Sequence, residues 1–317
     1  MPPSTDAPLV SLVVPCFAST PHALALLDET LATVDAQSVA EREVLVVDDG
    51  SPLDVAAVAA RHPRTRCLRR ANGGSAQARN TGIAAARGAA VVFLDADDHL
   101  LPGALERGLA ELEAHPGVEF VVGPREEMTF RGEPVSWGVP PAPVTDDLYR
   151  TLLAAEWWIL PPSTAVFRRR VVEAVGGFRD PWGADDLDFY LRVAHRAAGR
   201  CRDGEPVTRY RRYAASTSRD GARMLRSVRT VFARQWPLVR GHAAREAAWH
   251  AGLARLEPIF RDCLAENVRD RWRAGARGRA LRAALHLVRE DPARLLAAAR
   301  EALRPETPGA EGGGGAG

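Results

Sequence analysis

Val91-Val92-Phe93-Leu94-Asp95-Ala96-Asp97-Asp98 sets an apolar run directly against three carboxylates within four residues. Four successive apolar side chains, mostly β-branched or aromatic, read as a strand buried on both faces, the kind found inside parallel sheets. Residues two apart in extended backbone point the same way, so Asp95 and Asp97 can converge on one side. Like charges gathered where a buried strand ends are costly unless something positive binds there. A divalent cation with oxygen ligands, Mg²⁺ or Mn²⁺, bridges such carboxylates to substrate phosphates. Taken alone, an acidic turn capping the next helix explains the stretch equally well.

The pattern on either side favours an α/β architecture. Leu9 to Val14 predicts a first strand ended by Pro15, and Leu24, Leu27, Leu31 and Val34 give His22 to Ala36 a helical period. Glu43 to Val47 predicts a second strand, Asp54 to Arg61 a helix, and Cys67-Leu68 a short third strand. Ser75 to Arg87 reads as helix and Ala89 to Leu94 as the central strand. Such alternation implies βαβ units and a mostly parallel sheet flanked by helices. In such sheets ligands bind beyond the carboxyl ends of the strands, so the polar clusters after strands one, two and four should share one crevice. Further on, helices are predicted over Gly103 to Ala114, Asp146 to Ala155 and Asp185 to Ala198, with strands over Val118 to Val122 and Ser163 to Phe167. Pro134, Pro140, Pro141 and Pro143 mark a connection. From about Asp220 the chain turns Arg/Ala-rich and helical to about Leu303, and a Gly-rich, disordered tail is expected at the end.

Composition narrows the class. The chain has 317 residues, 46% hydrophobic and 26% charged, enough for one large α/β domain with an appendage. Its net charge of +2 gives no argument for nucleic acid. All 42 basic residues are arginine, a bias that weakens any single Arg cluster as a binding signal. Cys16, Cys67, Cys201 and Cys263 lie far apart with no C-x-x-C pair, which fits a reducing compartment better than a zinc site or a disulfide framework. No run approaches the apolar length of a membrane span, and the first apolar run, broken by Ser11 and Pro15, reads as a strand. A cytoplasmic protein is expected.

Three further clusters could carry chemistry. Val44 to Val47 runs into Asp48-Asp49-Gly50-Ser51, where a carboxylate can accept from a nucleobase or ribose, or simply close an Asp-Gly turn. Asn72-Gly73-Gly74-Ser75-Ala76-Gln77-Ala78-Arg79-Asn80-Thr81-Gly82 is a Gly-rich entry into a helix. Its backbone N–H groups and Arg79 could hold an anion such as a diphosphate. It is neither a G-x-G-x-x-G fingerprint nor a G-x-x-x-x-G-K-S/T loop. Trp182-Gly183-Ala184-Asp185-Asp186-Leu187-Asp188 opens a helix with acids, which either cap it or supply a general base.

In this order the clusters resemble the family 2 glycosyltransferases, nucleotide-sugar-dependent enzymes of the GT-A fold. Val10 to Pro15 looks like that family's first strand, and Val44 to Ser51 like its V-V-D-D-G-S segment. Asn72 to Gly82 is similar to N-x-G-x-x-x-A-R-N-x-G, and Phe93 to Asp98 to F-L-D-A-D-D. Phe167-Arg168-Arg169 and Gly176-Gly177-Phe178 resemble its F-R-R and G-G-F segments, and Asp185-Asp186 its E-D-x-D motif. The resemblance covers about residues 9 to 218. It implies a nucleotide across the strand ends, with Asp49 against the base and Pro15, Phe17, Asn72 and Arg79 around the donor. It implies Asp95 and Asp97 as the D-x-D pair, taking ribose and a diphosphate-bound Mn²⁺ or Mg²⁺, with the metal on Asp97 or Asp98. Asp186, beside Asp185, would be the general base of an inverting transfer from a UDP-linked or other nucleoside-diphosphate sugar to an acceptor hydroxyl.

The pattern also departs from the family's. Phe17-Ala18 stands where Tyr-Asn is frequent, Asp185 shortens the first acid of the pair, and Tyr213 stands where a His that helps hold the metal is common. A catalytically impaired relative that binds nucleotide sugars or glycans is the alternative. A sugar-phosphate nucleotidyltransferase would carry a Lys in a Gly-rich loop, and there is no Lys here. Glu156-Trp157-Trp158 could stack on an acceptor glycan or pack beneath a loop. Arg261 to Arg304 holds eleven arginines against six acids. That suits a peripheral contact with the inner face of a membrane and a lipid-linked acceptor, or equally a solvated helical face. The expected domains are a GT-A unit over 1–220, a helical region over 221–305 and a disordered tail over 306–317.

Overall fold

The structure, a computed structural model, describes residues 9–135, 143, 145–157, 161–179, 183–212 and 219–303. In chain order the elements are β1 (Val10–Cys16), α1 (Pro21–Asp35), β2 (Arg42–Asp48), α2 (Val55–Ala59), β3 (Thr65–Arg69), α3 (Ser75–Ala85) and β4 (Ala90–Phe93). There follow β5 (His99–Leu100), α4 (Ala104–Ala114), β6 (Phe120–Val122), β7 (Arg125–Met128), β8 (Pro134–Val135) and α5 (Leu148–Leu153). β9 (Ala165–Arg168), α6 (Arg169–Ala174), α7 (Asp185–Arg196), β10 (Gly199–Cys201) and β11 (Thr208–Arg211) precede the helices α8 (Gly221–Val239), α9 (Ala243–Arg273), α10 (Arg277–Glu290) and α11 (Pro292–Leu303).

The main sheet runs β10-β6-β9-β4-β1-β2-β3. β4, β1, β2 and β3 are parallel, and only β9 runs against its neighbours β4 and β6. Leu12, Val13, Val14, Val44, Leu45, Val46, Val47, Val91 and Phe93 are fully buried, as a strand covered by helices on both faces requires. Each such side chain contributes about 1.5–3 kcal/mol relative to its exposed state. The mostly parallel α/β sheet with helical C-terminal segments is the architecture the sequence implies.

The differences have local causes. β1 does not end at Pro15 but pairs it with Val47 and continues to Cys16. The Val13 carbonyl accepts from Leu94 on the β4 side, so Pro15, two residues on, points its nitrogen that way, and β1–β4 pairing has already stopped at Val13. A missing donor costs nothing there. Ser163 and Thr164 lie in a 3₁₀ turn, so β9 starts only at Ala165. A second sheet, β5-β11-β7-β8, was not legible because its strands are two to four residues long.

By packing, the chain divides into one compact unit of residues 1–216 and 227–256 and another of 217–226 and 257–317. The division therefore passes through α8 and α9. In the first unit Tyr149 donates to Gln235, Trp249 to the Phe232 carbonyl and Arg255 to the Ala154 carbonyl. In the second, Asn267 ties the start of α8 to α9 by accepting from the Gly221 N–H and donating to the Arg219 carbonyl. No helix among the described residues is long and apolar enough to cross a membrane. All four cysteines are free thiols. Pro140, Pro141, Trp158, Trp182, Tyr213 and the tail 306–317 lie outside the described residues.

Candidate active site at the strand ends

Parallel pairing of β4, β1 and β2 brings Asp95, Phe17 and Asp49 to one edge of the sheet. After β2, the Asp48 carboxylate accepts from the Ser51 N–H at 2.8 Å and from Arg69 at 2.7 Å, closing its own turn. Asp49 is buried and reaches across to the Gly-rich loop. It accepts from the Gly73 N–H at 3.1 Å and the Gly74 N–H at 2.7 Å, and it pairs with Arg70. Asn72 donates to the Asp49 carbonyl, and Ser51 accepts from the Ala18 N–H. The D-D-G-S turn, the Gly-rich loop and the segment after β1 are thus one hydrogen-bonded floor. Pro15 is half-buried at its edge, and Phe17 and Asn72 are exposed.

α3 packs close to β1 because residue 82 is glycine: a Cβ there would lie 2.2 Å from Val13 Cγ1. One turn into α3, Arg79 is buried. It donates to Asp95 at 2.6 Å and to Asp185 at 2.7 Å, while its guanidinium lies 5.1 Å over the Phe178 ring. Burial alone would lower its pKa, but the two carboxylates outweigh burial and raise it. The next residue, Asn80, both donates to the Phe178 carbonyl and accepts from the Phe178 N–H, each at 2.8 Å. Gly177 reaches this pair with φ +67, and a Cβ there would lie 2.3 Å from Asn80 Oδ1. Phe178 stacks on Phe189 at 4.1 Å and stands edge-on to Phe93 at 4.8 Å. Motifs 98 residues apart therefore form one joint, whose polar side is the Asp95–Arg79–Asp185 bridge.

The three acids after β4 diverge. Asp95 faces Arg79, and Asp98 turns inward. Asp98 accepts from the Ser163 hydroxyl and from the Arg211 N–H, both at 3.0 Å. Burial, then the charges of Asp97 and Asp95, hold its carboxyl well above the usual range despite those donors. Asp97 stays half-buried, and its charge is also felt by the Cys16 thiol, which burial above all pushes up to about 12. Arg211, at the end of β11, braces this turn. Its side chain donates to the carbonyls of Asp97 and Phe130 and to Glu29 of α1. Arg211, Ser163 and Arg70 carry no motif signal. They sit on the short sheet, a 3₁₀ turn and a loop, where no periodicity announces them.

At the start of α7, Asp185 is tied down by Arg79, whereas Asp186 accepts, among the described residues, only from the Leu187 N–H at 2.7 Å. Burial first, then the Asp185 charge, push Asp186 up to about 7, against the Leu187 N–H and Arg79. A carboxyl poised there exchanges protons near neutrality, which general base catalysis needs. Among the described residues no group of three or more His, Cys, Asp or Glu side chains is arranged to hold a metal. Trp157 is half-buried, and Glu156 beside it faces Arg150 and Arg255.

The family model for glycosyl transferase family 2 matches residues 11–176. An uncharacterised protein of Sinorhizobium fredii is 36% identical over 202 residues, 62% of this chain and 21% of that protein. One of Mycobacterium tuberculosis is 31% identical over 211 residues, 60% of this chain and 63% of its own length. The O-antigen biosynthesis protein of Myxococcus xanthus is 31% identical over 222 residues, 68% and 17% of the two chains. The chain thus spans less than two thirds of the length of these relatives. Among solved structures, S. aureus TarS 1–349 in complex with UDP-GlcNAc aligns with a TM-score of 0.66 at 18% identity, covering 92% of this chain and 91% of that one. A mannosyltransferase of Pyrobaculum calidifontis in complex with GDP-Man and Mn²⁺ gives 0.58 at 23% identity, covering 94% and 88%. At these identities the likeness carries the fold, which is GT-A. The match runs through the first strand, both acidic turns and the Gly-rich loop, over more than half of the residues, and this chain belongs to glycosyl transferase family 2.

Proposed function

We propose that this chain is an inverting glycosyltransferase that moves a sugar from a nucleoside-diphosphate donor, UDP-linked in the first instance, to an acceptor hydroxyl. The observation that carries the reading is the Arg79 bridge. It holds Asp95, at the donor end of the sheet, and Asp185, neighbour of the near-neutral Asp186, on one guanidinium. The nucleotide would lie over the floor built around Asp49, with Pro15, Phe17 and Asn72 near the base and Asp95 at the ribose. Arg79 is engaged by two carboxylates, so its role in this proposal is to set the distance between donor and base.

A divalent cation, Mn²⁺ or Mg²⁺, would bind at the acidic turn after β4. Asp97, half-buried beside Asp98, would hold it, with donor phosphates completing the shell. Bound there, the ion would neutralise the departing diphosphate. Asp186 takes the proton of the acceptor hydroxyl as that oxygen attacks the anomeric carbon. The new C–O bond forms opposite the breaking one, the bonding pair leaves with the nucleoside diphosphate, and a single displacement inverts the centre. The acceptor is a glycan, a lipid-linked sugar or a small molecule. Peripheral membrane contact by the C-terminal helices is a separate proposal.

The test is a melting series with UDP, GDP and dTDP, each with and without Mn²⁺, since a ligand bound only to the folded state raises the melting point. A Mn²⁺-dependent rise with one of them is expected. NMR of the product from the matching donor should then show the inverted anomer. A rise followed by neither transfer nor donor hydrolysis would assign the chain to the binding-only alternative. No rise with any nucleotide overturns the reading.

A further inference from the structure

α10 and α11 each carry large apolar side chains that the described residues leave uncovered. Leu281, Leu285 and Val288 share one side of α10, and Leu296 and Leu303 lie seven apart on α11. Their exposures run from 47% at Val288 to 69% at Leu303, and they are five of the nine large apolar side chains that the described residues expose. α10 buries its opposite side through Ala280, Ala283 and Leu287, so folding does not require the leucine stripe. Arg282 and Arg289 flank that stripe and Arg300 follows Leu296 by one turn. The acid of α10, Glu290, falls on the buried side and faces Arg261. None of Arg282, Arg289 and Arg300 pairs with a carboxylate among the described residues, whereas Arg269 and Arg294 of the same unit do.

We propose that this face docks on an anionic lipid bilayer, the leucines entering the boundary between headgroups and acyl chains and the free arginines meeting lipid phosphates. Charge selects this occupant. A second copy would bring further unpaired arginines and no partnering acid of this stripe to meet them, whereas an anionic surface turns the same charges into attraction. A protein partner would need a groove shaped to the stripe, whereas a bilayer asks only for an apolar side rimmed by cations. Residues 304–317 contain no leucine, isoleucine, valine, methionine or aromatic residue with which to cover it. Since no helix among the described residues can cross a membrane, the contact made by these helices is peripheral. The proposal is independent of the transferase reading, because docking needs neither donor nor metal.

The experiment is flotation of the full chain with vesicles of phosphatidylcholine, pure or with about one-third phosphatidylglycerol, an anionic fraction large enough to attract basic segments. We expect at least about tenfold stronger partition to the anionic vesicles, weakening severalfold as salt shortens the screening length. Leu281→Asp with Leu285→Asp should cut that partition at least about tenfold with the melting temperature unchanged, since both positions face solvent. Arg282→Gln with Arg289→Gln should narrow the preference for anionic lipid. Equal partition to both vesicles, or none to either, overturns the proposal. A lipid-free dimer in sedimentation velocity that Leu285→Asp dissolves would assign the face to a second copy instead.

Discussion

Arginine means opposite things in the two parts of this chain. At the strand ends Arg79 and Arg211 are buried and brace acidic turns, Arg79 through Asp95 and Asp185 and Arg211 through the Asp97 carbonyl. On α10 and α11 Arg282, Arg289 and Arg300 have no carboxylate partner among the described residues, and leucines stand exposed beside them. One residue type, enriched by the same bias throughout, is internal scaffolding in the first place and open surface in the second. What separates the two is the neighbourhood: carboxylates brought from distant motifs around Arg79, solvent around Arg282.

The largest effect should come from the acid that the scaffolding leaves poised. Asp186→Asn should lower turnover by about 10³-fold, within the range of lost general bases, with nucleotide affinity unchanged by calorimetry. Unaltered turnover would remove Asp186 from the mechanism. Arg79→Ala should cost about 3 kcal/mol in urea unfolding, because it strands two half-buried carboxylates. Arg79→Lys should restore little, since an ammonium cannot fork between them. If Arg79→Ala unfolds like the parent, the bridge is not what holds this joint together.

Titration sharpens the contrast further. With Asp186 at about 7, turnover should rise about tenfold per pH unit below that point and level above it. The stability effect has the opposite slope. Asp186 and Asp98 both have folded pKa values raised above the unfolded carboxylate value, so between about 4 and 7 the folded state binds more protons than the unfolded one. Stability should therefore fall as pH rises through that window, and Asp186→Asn should flatten the fall. Gly177→Ala, strained at positive φ and crowding Asn80, should cost about 2 kcal/mol. The smallest effect belongs to the open surface: Arg282→Ala should change stability by less than about 0.5 kcal/mol. A larger loss would mean that α10 is braced by its arginines after all.

The sequence alone determined the strand-helix alternation, because buried parallel strands must be continuous apolar runs and amphipathic helices must repeat near 3.6 residues. It also marked both acidic turns, since carboxylates at the tip of a buried strand are conspicuous whatever surrounds them. Nothing in the pattern said that Asp49 would bond the Gly-rich loop, that Asp98 would turn inward under Ser163, or that Arg211 would hold the turn from a four-residue strand. Nor did the spacing reveal that Asn80 and Phe178 grip one another, or that Arg79 bridges two carboxylates where an anion site was expected. Periodicity is a local property, written by which face of an element meets the core. Who partners whom is decided only when elements distant in the chain are packed, and there burial and the nearest opposite charge set what each ionisable group can do.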